Sequence, residues 1–368
     1  MANKMKNILL SLAVCIVFSG CGRSDDRLMM VVGTYTDTGS EGLYSCSLDL
    51  RTGEIELLDS CRAVNPSYLV FSEDGSMIYA VNELESGDAG VCALRFDRRD
   101  GSFRAINGGA TQGAAPCYIS TNGKIAVTAN YVGGSMSVLP LGVDGALEPL
   151  SQLFEGSAGG PDAERQESPH VHCAVFSPDG RHLYASDFSA DRILVFDVSE
   201  DGCSVTSACS ADVQADYGPR HIVFDASGRH AYVIGELSGL ITVFDVSEEG
   251  ALAVRQVVDA DPYDGRGSSD IHLSPDGRYL YASNRLKGDG ISIFSVDGES
   301  GELTVAGYCF TGAHPRHFNI TPDGRWLLCA CRDTDEVEVY AVSPEDGSLR
   351  ATGRGIGLKR PVCVQFAR

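Results

Sequence analysis

One ten-residue stretch recurs along this chain and narrows its possible folds more than any other feature. Ser177-Pro-Asp-Gly-Arg-His-Leu-Tyr-Ala-Ser186 returns as Ser274-Pro-Asp-Gly-Arg-Tyr-Leu-Tyr-Ala-Ser283 and as Thr321-Pro-Asp-Gly-Arg-Trp-Leu-Leu-Cys-Ala330. Looser copies begin at Ser72, Ser120 and Asp225. Pro presets φ, Asp bonds its own backbone and Gly accepts a positive φ, so each copy is a tight turn. The apolar, aromatic-rich run after it reads as a strand. The turn glycines Gly75, Gly123, Gly180, Gly228, Gly277 and Gly324 stand 48, 57, 48, 49 and 47 residues apart. A period of that size marks an array of equivalent units.

A short strand precedes each turn, often opened by proline, at residues 66–71, 116–120, 169–176, 219–224, 269–273, 315–319 and 361–366. A third strand, such as Arg192-Ile-Leu-Val-Phe-Asp197, and a fourth beyond another Gly turn complete each unit. Four strands every ~50 residues make a propeller blade. The seventh marker strand stops two residues short of the C-terminus, so its blade lacks partners. Met29-Met-Val-Val-Gly-Thr-Tyr35 and Gly42-Leu-Tyr-Ser-Cys-Ser-Leu48 can supply them. The expected fold is all-β, a seven-bladed β-propeller closed by pairing N-terminal strands with the C-terminal one. Closure removes the open edge.

Residues 1–20 read as a leader. Lys4 and Lys6 form a positive start, and the apolar run Ile8 to Phe18 is too short to span a bilayer. Phe18-Ser-Gly-Cys21 resembles a bacterial lipobox. That implies lipid on Cys21, a tether over 21–28, a propeller domain over 29–368 and a lipid-anchored place in the cell envelope. An ordinary secretory leader is the alternative. The formal charge of −21 becomes −23 once Lys4 and Lys6 are removed. So acidic a chain repels phosphate backbones, which argues against nucleic-acid partners. Membrane contact is expected through the anchor alone, and a monomer is expected.

Thirteen cysteines do not form a disulfide pattern. Cys15 falls in the leader and Cys21 at the lipobox, leaving an odd eleven, mostly inside apolar strands where a free Cys acts as a small hydrophobe. Cys203 and Cys209, close in sequence, are the best candidates for a bridge. Cys329 and Cys331 share one strand face, but no His lies near them at zinc-finger spacing.

Polar residues gather at the ends of otherwise apolar strands. His170 and His172 alternate on one face. Arg220 and His221 open the next blade, and Glu236 closes that blade's second strand. Asn82-Glu83, Asn130-Tyr131 and Asn284-Arg285 stand at matching places elsewhere. In a propeller such residues face one mouth of the central channel. Plainer readings exist for some of them. His221, His272 and His317 can each satisfy a turn, Arg220 and Arg316 share a repeated Pro-Arg-His context, and Arg332 with Asp333 reads as a surface pair.

Several motifs together carry a resemblance: Gly33-Thr-Tyr-Thr36, Glu164-Arg-Gln-Glu-Ser-Pro-His170, Pro169-His-Val-His172, Gly218-Pro-Arg-His221, the run Ile271 to Arg285 and His314-Pro-Arg-His-Phe318. Over about residues 29–366 the chain resembles the bacterial 6-phosphogluconolactonase family of seven-bladed propellers, which includes the carboxy-muconate lactonizing enzymes. The resemblance implies a lactone-handling site of His172, Arg220, Glu236 and Arg285, with His170 and Asp187 nearby. His221, Asn82, Glu83, Asn130 and Asn284 are further candidates for substrate contact. The chain departs from the family pattern at Leu286-Lys287 and Cys331, which leaves the substrate open.

Lactone hydrolysis needs an activated water, an oxyanion stabiliser and a proton for the leaving alkoxide. A neutral imidazole suits the base, here His172. Arg220 and Arg285 offer fixed donors for the carbonyl oxygen and for any carboxylate or phosphate. Glu236 would orient an arginine or deliver the proton. Neither metal nor other cofactor is expected, because clustered arginines oppose a dication. The absence of a Gly-x-Ser-x-Gly elbow argues against a serine hydrolase. A muconate-type cycloisomerase and a non-catalytic binding propeller are the alternatives.

Overall fold

The turn repeat owes its shape to its first and third residues. Ser177 Oγ accepts the His182 amide at 3.0 Å and donates to Asp179 at 2.6 Å. Gly180 then turns at φ +70°, and its N–H returns to the Ser177 carbonyl. Ser274 and Thr321 repeat the arrangement with the amides of Tyr279 and Trp326. The tyrosine of the following strand has a second role. Tyr184, Tyr232 and Tyr281 donate their hydroxyls to the carbonyls of Gly250, Gly301 and Gly347 at 2.9, 3.0 and 2.8 Å. Each acceptor lies in an outer turn of the next blade. The repeated sequence therefore forms the hairpin and also fastens neighbouring blades.

The computed structural model describes residues 26–367 and arranges them as seven four-stranded antiparallel sheets. Blades 1 to 6 follow in chain order over residues 69–110, 116–155, 171–212, 219–259, 271–310 and 315–357. Blade 7 is composite. Its innermost strand is Pro361–Phe366, and Arg27–Thr34, Gly42–Asp49 and Ile55–Arg62 follow outward. Met30 pairs with Phe366 and Val32 with Val364. Buried Met30, Val32, Val364 and Phe366 pack this seam against Leu328, Val337 and Val339 of blade 6. The fold is the expected propeller with the expected closure. Its first strand starts at Arg27, so it takes in the last two residues of the expected tether. The leader and Cys21 lie outside the described residues.

The channel is closed at its waist. Tyr68, Tyr118, Cys173, His221, Asp270, His317 and Cys363, each in or one residue before the innermost strand of its blade, are all buried there. Tyr68 stacks on Tyr118 at 4.2 Å and meets His317 edge-on, while Tyr118 meets His221 edge-on. Side chains fill the ring, leaving two separate mouths. A cavity of about 230 Å³ in one mouth is lined by Phe176, Phe224 and His272 and reaches Tyr68, Tyr118, His221 and Asp270 of the waist. The other mouth holds the arginines.

The eleven described cysteines after Cys21 are free thiols, Cys203 and Cys209 included. Cys209 lies four residues into the extended strand that begins at Val205. At about 3.3 Å per residue that sets Cys209 ~13 Å along the strand from Val205, while Cys203 stays in the turn before it. Among the described residues no helix is long and apolar enough to cross a membrane.

Candidate active site

Five innermost strands carry an extra residue at the same mouth. Their pairing slips between Pro116 and Tyr118, Val171 and Ala174, Pro219 and Ile222, Pro315 and His317, and, in the composite blade, Pro361 and Cys363 around Val362. Such a bulge bends the strand and re-aims a side chain. The slipped segments carry Cys117, His172, Arg220 and Arg316. Before Arg220, Gly218 holds φ +57°, and a Cβ there would lie 2.8 Å from Leu237 and 2.9 Å from Phe188. The Gly218 amide is fixed by Asp191 at 2.8 Å, which also takes the Tyr217 amide at 3.0 Å.

A second equivalent position completes the mouth. It is the residue just past each blade's second strand, occupied round the ring by Tyr35, Glu83, Tyr131, Phe188, Glu236, Arg285 and Arg332. The residue before it, last in the strand, points the other way, as alternation along a strand requires. This separates the candidate pairs. Asn130 bonds Thr128, Ser135 and Ser137 within its own blade. Asn284 likewise bonds Ser268, Ser292 and the Ala260 carbonyl. Both are fully buried with their capacity spent on structure. Asp187 is buried against the loop after blade 2, where it accepts the Ser157 amide at 3.0 Å. Burial raises its carboxyl to about 6. None of these three reaches the arginine cluster. Asn82 is half-buried and makes no side-chain hydrogen bond among the described residues, whereas its neighbour Glu83 accepts the Tyr35 hydroxyl at 3.0 Å.

Glu236 is the hub of the cluster. Arg165 reaches its Oε1 at 2.7 Å, and Arg220 and Arg285 reach its Oε2 at 2.8 and 3.2 Å. Burial alone would raise this carboxyl, but Arg285, Arg220 and Arg165 outweigh it and hold it well below the usual range. Arg220 also donates to the Ser269 carbonyl at 2.8 Å and to His221 Nε2 at 3.2 Å. Accepting there puts the His221 proton on Nδ1, which donates to Asp270 at 2.8 Å. His221 thus supports Arg220 from below. Arg285 donates Nε to the Gly267 carbonyl at 2.7 Å and approaches His314 Nε2 at 3.3 Å.

His172 is buried beside this cluster, and its only side-chain hydrogen-bond partner among the described residues is Cys117 Sγ at 3.8 Å. Burial, then Arg220 and His221, hold it neutral well below the ordinary histidine range. His170 stacks on Tyr131 at 4.2 Å and fixes Nδ1–H on the Tyr131 carbonyl at 2.7 Å. Arg165 arrives on the loop between blades 2 and 3. Gln166 anchors that loop to Asp191 and the Phe188 carbonyl, and Arg266 ties its Asp162 to Asp216. Arg165, Tyr35, His314 and Arg316 are mouth residues that the sequence reading did not select. Arg165, Tyr35 and His314 lie inside motifs that carry the family resemblance, and Arg316 shares its Pro-Arg-His context with Arg220.

The family described as lactonase, seven-bladed β-propeller, matches residues 29–366. The chain belongs to that family. The 6-phosphogluconolactonase of Bacillus subtilis is 33% identical over 344 residues, covering 91% of this chain and 97% of the relative. Among solved structures, a candidate 6-phosphogluconolactonase of Bacteroides uniformis is 50% identical with a TM-score of 0.91, over 93% of this chain and 99% of the other. The periplasmic gluconolactonase of Pseudomonas aeruginosa is 33% identical with a TM-score of 0.88, over 92% and 99%.

One cluster in this lactonase propeller has the makings of a metal centre. Ligand atoms of Asp270, His272 and His317 lie within 4.8 Å of one another. Tautomer chemistry speaks against an ion there. His317 Nδ1 accepts the Val364 amide at 3.2 Å, so Nε2, facing Asp270, carries the proton and has no lone pair to give. Asp270 already takes N–H donors from His221, His272, Ile271 and Phe318.

Proposed function

We propose that this protein hydrolyses a sugar-derived lactone at the Glu236 mouth by metal-independent acid–base chemistry. The observation that carries the reading is a buried neutral imidazole beside three guanidiniums gathered on one carboxylate, in a chain of the lactonase family. His172 takes a proton from water, and the hydroxide adds to the lactone carbonyl. Arg220 and Arg285 receive the oxyanion, and Arg220 Nη2 is free for it among the described residues. Collapse breaks the ring C–O bond, and the imidazolium returns its proton to the leaving alkoxide. Glu236, committed to three arginines and held ionised, orients them and does not deliver the proton. The names of the Bacillus and Pseudomonas relatives support a sugar lactone as substrate.

The test is a pH-stat assay of the purified protein against 6-phosphogluconolactone, gluconolactone, galactonolactone and muconolactone. Hydrolysis above the spontaneous rate is expected for at least one sugar lactone. Arg220→Ala should lower it by ~10²–10³-fold, the scale of losing one oxyanion donor, and His172→Ala by ~10²–10⁴-fold, the scale of losing a general base. Unchanged turnover in His172→Ala would pass the base role to His170. No acceleration with any lactone would sink the reading.

We also propose a lipid-anchored location in the cell envelope, supported by residues 1–21 and by the periplasmic Pseudomonas relative. Cys21→Ser should move the protein from the membrane to the soluble fraction; retention in the membrane would count against the anchor.

A further inference from the structure

The arginines of the mouth differ in how much hydrogen-bonding capacity they have spent. Arg165 gives to Tyr131 and Glu236, Arg220 to Glu236, Ser269 and His221, and Arg285 to Gly267 and Glu236. Arg316 gives to nothing. Among the described residues its guanidinium makes no hydrogen bond, and the nearest carboxylate oxygen, on Glu83, is 3.9 Å away. Yet its side chain is only 16% exposed. Five donors on a planar cation are thus withdrawn from bulk water with no protein acceptor.

This guanidinium is nevertheless held in place. Arg316 occupies the bulge between Pro315 and His317, and its carbonyl accepts Ser269 Oγ at 2.6 Å. The guanidinium lies over the Tyr35 ring, 5.3 Å from the centroid, in a cation–π contact. Glu83 does not close on it, because both its oxygens face the Tyr35 hydroxyl at 3.0 and 3.2 Å. The other cation over Tyr35, Arg360, is matched by Asp37. The mouth therefore has two poles. Three arginines share Glu236 at one, and Arg316 stands at the other with Tyr35 and Glu83. Four guanidiniums face two carboxylates, so the mouth as a whole is positive, and Arg316 is the one whose donors are unspent.

The geometry points to Arg316, backed by Tyr35 and Glu83, as the seat of an oxyanion substituent on the substrate, a carboxylate or a phosphate separate from the reacting lactone carbonyl. The inference rests on the lactonase reading for the opposite pole. A fixed, unspent guanidinium accepts a two-oxygen anion edge-on with no side chain left to order. A neutral hydroxyl would satisfy a donor and leave the surplus charge unmatched.

Non-reacting acids separate this claim from the chemistry. Gluconate carries one carboxylate, glucarate two, and 6-phosphogluconate a carboxylate and a phosphate. Calorimetric titration of the intact protein should show glucarate or 6-phosphogluconate binding at least tenfold tighter than gluconate. That preference should vanish in Arg316→Gln and return in part in Arg316→Lys, with both variants checked for an intact unfolding transition. Preference for 6-phosphogluconate over glucarate assigns the seat to phosphate, and the reverse assigns it to carboxylate. In turnover, Arg316→Gln should lower the kcat/KM ratio of 6-phosphogluconolactone to gluconolactone at least tenfold, mainly through KM. No preference in the unaltered protein, or a preference that survives Arg316→Gln, overturns the seat while leaving lactone hydrolysis standing. An Arg316-dependent preference without any lactone turnover keeps the seat and overturns the hydrolysis.

Discussion

Exchanging Glu236 for glutamine should abolish most turnover and cost about 3–5 kcal/mol of stability, the penalty of leaving buried charges without their partner. The carboxylate is 7% exposed and holds Arg165, Arg220 and Arg285 within 3.2 Å. Glutamine fills the same space and supplies one carbonyl acceptor without charge. Three guanidiniums would then repel one another, and a shift of ~1 Å at Arg220 is enough to cost ~10²-fold in rate. Denaturant unfolding followed beside lactone turnover reads both effects. Removing one cation as well, in Glu236→Gln with Arg165→Gln, should recover part of the lost stability, because the two changes act on one charge cluster. Equal stability of Glu236→Gln and the unaltered protein would show that the arginines do not depend on this carboxylate.

Acid should unfold the protein over the histidine range, well before most carboxylates titrate. Five of its eight histidines sit below their ordinary value: His170, His172, His221 at about 4, His314 at about 2 and His317 at about 3. Burial is the first cause in each, and neighbouring guanidiniums add to it. Below pH 6.5 the unfolded chain takes up protons that the folded chain refuses, so stability is full above that pH and falls as pH drops. Between pH 6.5 and 5.5 the loss is on the order of 1 kcal/mol for each of His221, His314 and His317, whose folded values lie below that window. Asp187, raised to about 6, works in the opposite direction over part of that window, but it is a single group. Lower still, protonating Glu236 and Asp270, both held well below the carboxylate range, removes more. A denaturant midpoint that stays level from pH 7 to pH 5 would contradict this account. His317→Asn should flatten the slope by one group's share.

The blades were legible because a turn must be written in a few residue types, and the six blades with a continuous inner hairpin need six copies. Closure was legible too, since an unfinished last blade has one place to find partners. The site was only half legible. Asn130 and Asn284 were grouped with Tyr131 and Arg285 because sequence shows adjacency, while strand alternation turns neighbours to opposite faces. Bulges leave no mark in composition, so nothing in Pro-Arg-His announces that Arg220 and Arg316 stand on extra residues. The same words also meet different surroundings. Opposite Pro219 the second strand runs on into Glu236, and opposite Pro315 it runs on into Arg332. One arginine is therefore neutralised within its own blade, and the other has no carboxylate there and stays without a hydrogen-bond partner among the described residues.

The composite seventh blade fixes when this molecule can exist. Arg27–Thr34 is made long before Pro361–Phe366 and waits for it. Until then that strand keeps an open sheet edge, and no intermediate length offers a closed ring. If the chain is exported, its passage and its folding must be consecutive events. The strand Pro361–Phe366 then acts as the signal that the ring can close.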